Sequence, residues 1–336
     1  MVQRLLEPGE IESLDHNAIP RLLLPQARSL FTARAARLRQ LANNDITGIP
    51  VGESMQGYLR LMAALVDAQA AVAASLPAGT FSLPDAAEIA LSLEHNMPPL
   101  PVSGARPASW RTVFAALLDQ LEPLSKDQRQ LAAVLAQLRE LDAAQLEGCA
   151  DAVLAEVTEG VDPLQAPFVA AALQVVWAMR ASQLDSPAVQ PLVTNTLCPV
   201  CGSHPVASVI RIGGQSQGYR YLHCSACASE WHMVRVKCSC CEHTSKIAYQ
   251  SLETNEDKAE VAADPALINK ANDPSKVARA ETCEDCKTYR KIFNQEHDFN
   301  VEPLADDLAS LTLDLLVGEA GYARASGNPL LWFNAA

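Results

Sequence analysis

Four pairs of cysteines, each spaced C-x-x-C, carry the chemistry of this 336-residue chain: Cys198/Cys201, Cys224/Cys227, Cys238/Cys241 and Cys283/Cys286. The two thiols of one such turn can converge on a single cation. Two turns brought together by folding complete a tetrathiolate shell of the kind that selects zinc or iron. Eight thiols are ligand enough for two tetrahedral ions. Taken in chain order, Cys198, Cys201, Cys224 and Cys227 make a first site, because the 22 residues between the pairs suffice for a hairpin that joins both knuckles. Cys238, Cys241, Cys283 and Cys286 make a second, with an insertion of 41 residues between its pairs. A rival arrangement would join Cys224/Cys227 to Cys238/Cys241, only 10 residues apart. In the run KCSCC either Cys240 or Cys241 could close the third knuckle; the spacing favours Cys241 and leaves Cys240 without a role.

Gly202, directly after the first pair, suits a turn that needs positive φ, where backbone amides can point at sulfur. His204, His223, His232 and His243 crowd the cysteines but read as surrounding groups, since paired thiols already fill the ligand count. Trp231 and Tyr221 read as apolar cover for a metal. Cys149 falls in a helical segment and reads as a small core residue. Structural zinc, redox iron in the same shell, and free dithiols performing disulfide exchange are the three chemistries open to such pairs. Disulfide exchange normally uses a CxxC at a helix N-terminus, and the strand-like flanks here argue against it. The chain has no P-loop, GxSxG, HExxH or dinucleotide fingerprint. A closed four-thiolate shell has no open position for substrate, so the expectation is a binding protein and not an enzyme.

The elements that must position these cysteines divide the chain in two. From about residue 28 to 185, apolar residues recur three and four apart, as in Leu59, Met62, Val66; Val113, Leu117, Leu121; and Leu131, Leu135, Leu138. Each stripe marks a helix with one buried face. Asp162 and Pro163 read as N-cap and N1 of the most apolar helix, through Trp177 to Met179, which belongs at the centre of a bundle. Met97 to Ser109 holds too many prolines for helix and reads as a linker or an arm lying across a neighbour. After Ser186 the runs VASVIRI, YRYLHC, WHMVRVKC and SKIAYQSL read as short strands, with Gly213, Gly214 and Gly218 at a reversal. Past Cys286 a further helix opens at Pro303, with Asp306 and Asp307 in its first turn, Leu304, Leu308, Leu311 and Leu315 on one face, and Gly318 or Gly321 at its end. The expected organisation is multidomain α+β: an all-α domain over 1–185 containing the proline-rich 97–109, two small rubredoxin-like, zinc-ribbon-like β modules over 186–236 and 237–300, and a C-terminal helix and tail over 301–336. A helical core separate from the metal modules would survive loss of a cysteine.

The chain is 49% hydrophobic, with mean hydropathy near zero, and carries a formal net charge of -13. Its first residues hold acidic groups and no sustained apolar run, and its longest apolar segment, Phe168 to Met179, is shorter than the roughly 20 residues a membrane span needs. The expectation is a cytoplasmic protein, a reducing setting that favours metal-binding over disulfide-bonded cysteines. The acidic balance opposes phosphate-backbone binding. Arg211, Arg220, Arg235, Lys237 and Lys246 nevertheless gather near the cysteines, either as a basic nucleic-acid face or as counter-charges to the thiolates.

The run CPVCGSHPVAS, then RYLHCSACASEWH, VRVKCSCCE, ETCEDCKTYRK and finally ADDLASLTLDLL with GYAR together resemble the formate dehydrogenase accessory protein family, FdhE. The likeness is dense from Leu197 to Arg324 and looser over the helical half. The resemblance implies a non-enzymatic, cytoplasmic assembly factor or chaperone with two rubredoxin-like domains that bind iron through Cys198, Cys201, Cys224, Cys227, Cys238, Cys241, Cys283 and Cys286. It implies a partner, the catalytic subunit of a respiratory formate dehydrogenase, and neither nucleic acid nor membrane insertion. Cys240 is an addition to the family's pattern.

Overall fold

The computed structural model describes residues 19–45, 49, 51–77, 79–186, 189–244, 246–252 and 276–332. Pro187 and most of the long insertion between the third and fourth cysteine pairs lie outside them, as do residues 333–336 of the tail. Seven helices come first: α1 (Ala27–Ala42), α2 (Glu53–Ser75), α3 (Ala86–Glu94), α4 (Trp110–Ser125), α5 (Arg129–Glu140), α6 (Ala143–Leu154) and α7 (Ala166–Ala181). All three apolar stripes lie on them, and every residue of the stripes is buried. Where propensity is weak at an end, side chains take over: Asp85 with Glu88, and Asp142 with Gln145, form capping boxes on α3 and α6. Helix α7 is buried nearly all round and packs against α2, α4 and α6, the central position its composition demands. It starts later than expected. Asp162 caps only a preliminary turn, accepting from the Leu164 amide at 2.9 Å, and Pro167 rather than Pro163 stands at the helix entry.

The second half is a sheet with a strand from the far end of the chain on its edge. Its strands are β1 (Leu22–Leu23), β2 (Pro205–Ile210), β3 (Arg220–Cys224), β4 (Glu230–His232), β5 (Ile247–Ser251), β6 (Ala278–Cys283), β7 (Thr288–Asn294) and β8 (Ala323–Arg324). Their order is β1-β4-β3-β2-β7-β6-β5, with β8 on β7. Within each half the pairing is antiparallel except for the short β8, which runs parallel to β7; β2 and β7 join the halves in parallel, Ser208 opposite Ile292 and Ile210 opposite Asn294. A helical region followed by a sheet region is therefore the architecture that the sequence leads one to expect, with the two β modules fused into one sheet. WHMVRVKC is strand only to His232; Val234 to Lys237 forms an irregular bridge between the modules.

The C-terminal helix is broken into α8 (Pro303–Ala309) and α9 (Leu311–Glu319). The Ser310 hydroxyl bonds back to the Asp306 and Asp307 carbonyls, at 2.7 and 3.3 Å, and competes with the helical ladder. The break turns the second half, so Leu313 and Val317 face inward while Leu315, expected on the apolar face, is 68% exposed. Gly321, at φ +90°, ends α9.

One hydrophobic core runs through the helices and the first module alike. Phe31, Trp110 and Trp177 share it with Cys198, Cys201, Cys224, Cys227, Tyr221 and Trp231. The expectation of a separate helical core fails here, because α7 lies directly against the knuckles and not only against its fellow helices. A smaller cluster of Ala280, Tyr289, Leu313 and Val317 supports the second module. Among the described residues, no helix is long and apolar enough to cross a membrane.

Candidate metal centres

Each of the four C-x-x-C turns ends the same way, on a residue with positive φ. These are Gly202 (79°), Ala228 (58°), Glu242 (63°) and Lys287 (54°). In the first turn Cys198 N–H donates to the Ser203 carbonyl at 2.9 Å and Gly202 N–H to the Cys198 carbonyl at 2.8 Å. The second and third repeat this closure, Cys224 to Ser229 at 2.9 Å and Cys238 to His243 at 2.8 Å. Only the first was legible as such a turn, since the other three use residues with a Cβ. Amides face sulfur as the turn requires: Cys227 N–H donates to Cys224 Sγ and Cys240 N–H to Cys238 Sγ, each at 3.4 Å.

Folding brings the thiols together as two groups of four, Cys198, Cys201, Cys224 and Cys227, and Cys238, Cys241, Cys283 and Cys286, with the Sγ atoms of each group within 4.8 Å of one another. Close sulfur pairs are 3.6 Å (Cys198–Cys227) and 3.4 Å (Cys201–Cys224) in the first, and 3.8 Å (Cys238–Cys286) and 3.7 Å (Cys241–Cys283) in the second. A tetrahedron with metal–sulfur bonds of ~2.3 Å has edges of ~3.8 Å. The groups can therefore each hold a metal ion. Protonation reinforces that fit. Burial pushes the Cys198 and Cys224 thiols well above their ordinary range, while at Cys201 the hydrogen bonds from its three neighbours overcome burial and hold it low. Burial disfavours gathering charge in this pocket, so four thiolates there require a cation.

The two groups differ in exposure. All four cysteines of the first are buried, whereas Cys241 and Cys286 of the second are half-exposed. The Cys286 thiolate is supported by the Thr288 hydroxyl, 2.9 Å away, and sits at about 7 in spite of partial burial. Cys240 is exposed and joins neither group, and Cys149 is part-buried at the edge of the helical core. None of the four histidines joins a group. His223 contacts Glu230 at 2.7 Å, His204 contacts Glu156 at 3.3 Å, His243 contacts Asp285 at 3.3 Å, and His232 lies edge-on to Tyr219 and Tyr221. The polar ends of Tyr221 and Trp231 are tied down, to the Pro20 and Asn195 carbonyls.

The structure gives the basic residues near the cysteines local partners. Most pair with carboxylates: Arg211 with Glu230, Arg220 with Glu281 at 2.8 Å, and Lys237 with Glu242 at 2.7 Å. The adjacent aspartates of ADDLAS are also structural. Asp306 accepts from Arg37, with contacts of 2.6 to 3.0 Å, and ties α8 to α1. Asp307 meets Lys291 at 3.0 Å and also Arg324; these two cations outweigh burial and hold its carboxyl below the usual range.

The proline-rich stretch is an arm laid across the first knuckle. Leu100 N–H donates to the Val200 carbonyl and Val102 N–H to that of Cys201, both at 2.9 Å. Trp177 Nε1 of α7 donates to the Leu100 carbonyl at 3.0 Å and holds the arm from behind. The fit is close enough that a Cβ on Gly202 would come within 3.3 Å of Pro98. Gln174, also on α7, donates to the Ser225 carbonyl inside the second knuckle at 2.7 Å.

Sequence models of three consecutive parts of one family match the chain: FdhE, N-terminal, at residues 19–194; FdhE, central domain, at 197–235; and FdhE, C-terminal domain, at 236–331. Among curated proteins it is similar to the protein FdhE homolog of Pseudomonas aeruginosa, 40% identical over 98% of both chains. It is also similar to the protein FdhE homolog of Cronobacter sakazakii, 39% identical over 98% of this chain and 97% of that one. Protein FdhE of Escherichia coli is 37% identical over 97% and 96%. Among solved structures, the crystal structure of the FdhE protein from Pseudomonas aeruginosa matches with a TM-score of 0.75 and 39% identity, covering 93% of this chain and 99% of that one.

Proposed function

The chain belongs to the FdhE family, and on that premise we propose that it is a cytoplasmic accessory factor for formate dehydrogenase. In this reading it holds iron in both four-cysteine sites, engages the enzyme's catalytic subunit and is needed for that subunit to become active. It acts by binding and not by turnover. The observation that carries the proposal is the pair of closed four-thiol clusters, each assembled from two separate turns. The eight cysteines are the ligands, and the modules over 186–236 and 237–300 are their two housings. Iron in such a shell supplies a one-electron change; zinc would be accepted by the same donors and would not. The protein's part is to exclude water from the first site, to present the second near the surface, and to offer sulfur the amides and hydroxyls that support its charge.

Metal analysis with visible spectroscopy on protein purified anaerobically tests the metal: two irons per chain and a coloured preparation are expected, and a colourless protein with two zincs overturns iron. Co-purification tests the partner; failure to retain a formate dehydrogenase catalytic subunit overturns that assignment. A nucleic-acid role loses its footing where Arg211, Arg220 and Lys237 are spent on internal ion pairs. A thiol oxidoreductase would have to use the exposed Cys240, and disulfide exchange that persists with both sites metal-saturated would favour it over the present reading.

A further inference from the structure

Two surface grooves meet at Arg235. The larger, about 1020 Å³, runs from Ile19 and Leu22 past Tyr219 to Val234. The smaller, about 370 Å³, continues from Val236 across Ile247 and Tyr249. Arg235 lines both and ties them together: its Nη2 donates to the Gly218 carbonyl at 2.6 Å, and its own carbonyl accepts from the Tyr249 hydroxyl at 3.2 Å. On a chain with a formal net charge of -13, no aspartate or glutamate among the described residues lines either groove. The floor between them is the irregular bridge joining the two modules, where Val234 and Val236 are 49% and 65% exposed, beside Tyr249 at 40%. Contiguous apolar exposure of this kind marks an interaction surface.

The charge of the groove narrows the occupant. Arg21 is exposed and makes no ion pair among the described residues, and Arg235 is bonded to a carbonyl instead of a carboxylate. His232 registers the local field: burial, then Arg21 and Arg220, lower its pKa. The other lining cations are committed, Arg220 to Glu281, Lys237 to Glu242, Lys246 to Asp285, and Arg279 over the Tyr249 ring, 5.2 Å from its centroid. Too few cations stay open for a phosphate backbone, which needs a run of them. One or two carboxylates set between apolar side chains would meet what the groove offers.

We propose that this groove, from Leu22 across Val234 to Lys237 to Tyr249, docks an extended polypeptide segment of a partner protein, its carboxylates at Arg21 and Arg235 and its apolar side chains on Val234, Val236 and Tyr249. That the segment belongs to a formate dehydrogenase catalytic subunit rests on the function proposed above; the groove's preference for acidic, apolar peptide does not.

The test uses the full-length, metal-loaded protein and a fluorescein-labelled peptide of alternating leucine and glutamate, read by anisotropy. Saturable, salt-sensitive binding is expected, weakened by about tenfold or more in Arg21→Glu/Arg235→Glu and in Val234→Ser/Val236→Ser. All four positions are at the surface or on an irregular segment, and unchanged circular dichroism and metal content confirm that the variants fold. Equal binding of a leucine–lysine peptide, tighter binding of a single-stranded oligonucleotide, or indifference to both double variants overturns the proposal. So does sedimentation showing that a second copy of the chain covers the groove. A separate capture of the catalytic subunit divides the two readings: peptide binding without subunit capture removes the partner and keeps the groove, and subunit capture unaffected by the variants removes the groove and keeps the partner.

Discussion

Replacing Cys201 with serine should do more than remove one metal. Three hydrogen bonds tie the helical region and its arm to the first site's turns: Leu100 to Val200, Val102 to Cys201 and Gln174 to Ser225. At about 1 kcal/mol net each, a turn that loses its cation and loosens forfeits roughly 3 kcal/mol of support to the helices. Lost packing against Trp177 and its neighbours in the shared core adds to that figure. The second site is the internal control, since its turns rest on the small cluster around Tyr289 and Leu313. Urea unfolding followed by far-UV circular dichroism, with metal content measured on the same samples, reads both. Cys201→Ser should lose one metal per chain and roughly 3 kcal/mol of helical stability. Cys283→Ser should lose one metal and leave the helical transition nearly in place. Equal effects of the two substitutions, or a helical transition unmoved by Cys201→Ser, would refute coupling through the arm and α7.

The other expectations concern single positions. Ala228→Gly and Lys287→Gly should each stabilise the protein by about 1 kcal/mol, because the left-handed conformation costs a residue with a Cβ about that much; urea midpoints check this. Glu230, buried between Arg211 and His223, is held at about 2 against an ordinary 4.5, burial opposing the shift and the two partners winning. Its folded value is depressed, so its contribution is complete above pH 4.5 and disappears as pH falls toward 2, a loss of about 3 kcal/mol. Glu230→Gln should flatten that part of the stability–pH curve, and a slope unchanged from the parent protein would sink the assignment. Asp307→Asn should cost about 1.5 to 3 kcal/mol, since buried Lys291 and part-buried Arg324 would lose one of the two carboxylates they share and keep Asp314; thermal unfolding measures it.

Regular spacing was what made this chain readable. Stripes such as Leu131, Leu135 and Leu138 repeat with the helix and are buried on helices, and cysteines three apart fall into two groups of four in chain order. What escaped was structure whose signal is chemical rather than periodic. Strands β6 and β7 carry Glu281, Arg290 and Lys291 at buried positions, so their alternation is masked by charges that only tertiary partners satisfy: Arg220 and Asp307 for Glu281 and Lys291, and the Ser239 and Ser326 hydroxyls for Arg290. The break at Ser310 depends on one hydroxyl preferring its own helix carbonyls, which no periodicity announces. Arg211, Arg220 and Lys237 looked like a surface feature because their carboxylate partners, Glu230, Glu281 and Glu242, are brought to them by hairpins and by sheet pairing across the two modules. Ala228, Glu242 and Lys287 hid three copies of a turn that Gly202 displays openly.

The edge strand β1 sets a clock on the chain's own maturation. Leu22 and Leu23 are made roughly two hundred residues before their partners, Trp231 and Glu230. At ~5–20 residues per second, the first strand waits on the order of 10–40 s for its sheet. The arm waits too, because it is made roughly a hundred residues before Val200 and Cys201 of the knuckle it covers. Such distant pairings are slow to close, and the ends of the groove at Arg235 come from opposite sides of that interval. A nascent chain therefore exposes half of the surface without the other half, and the groove is complete only after the residues through Arg279 have been made.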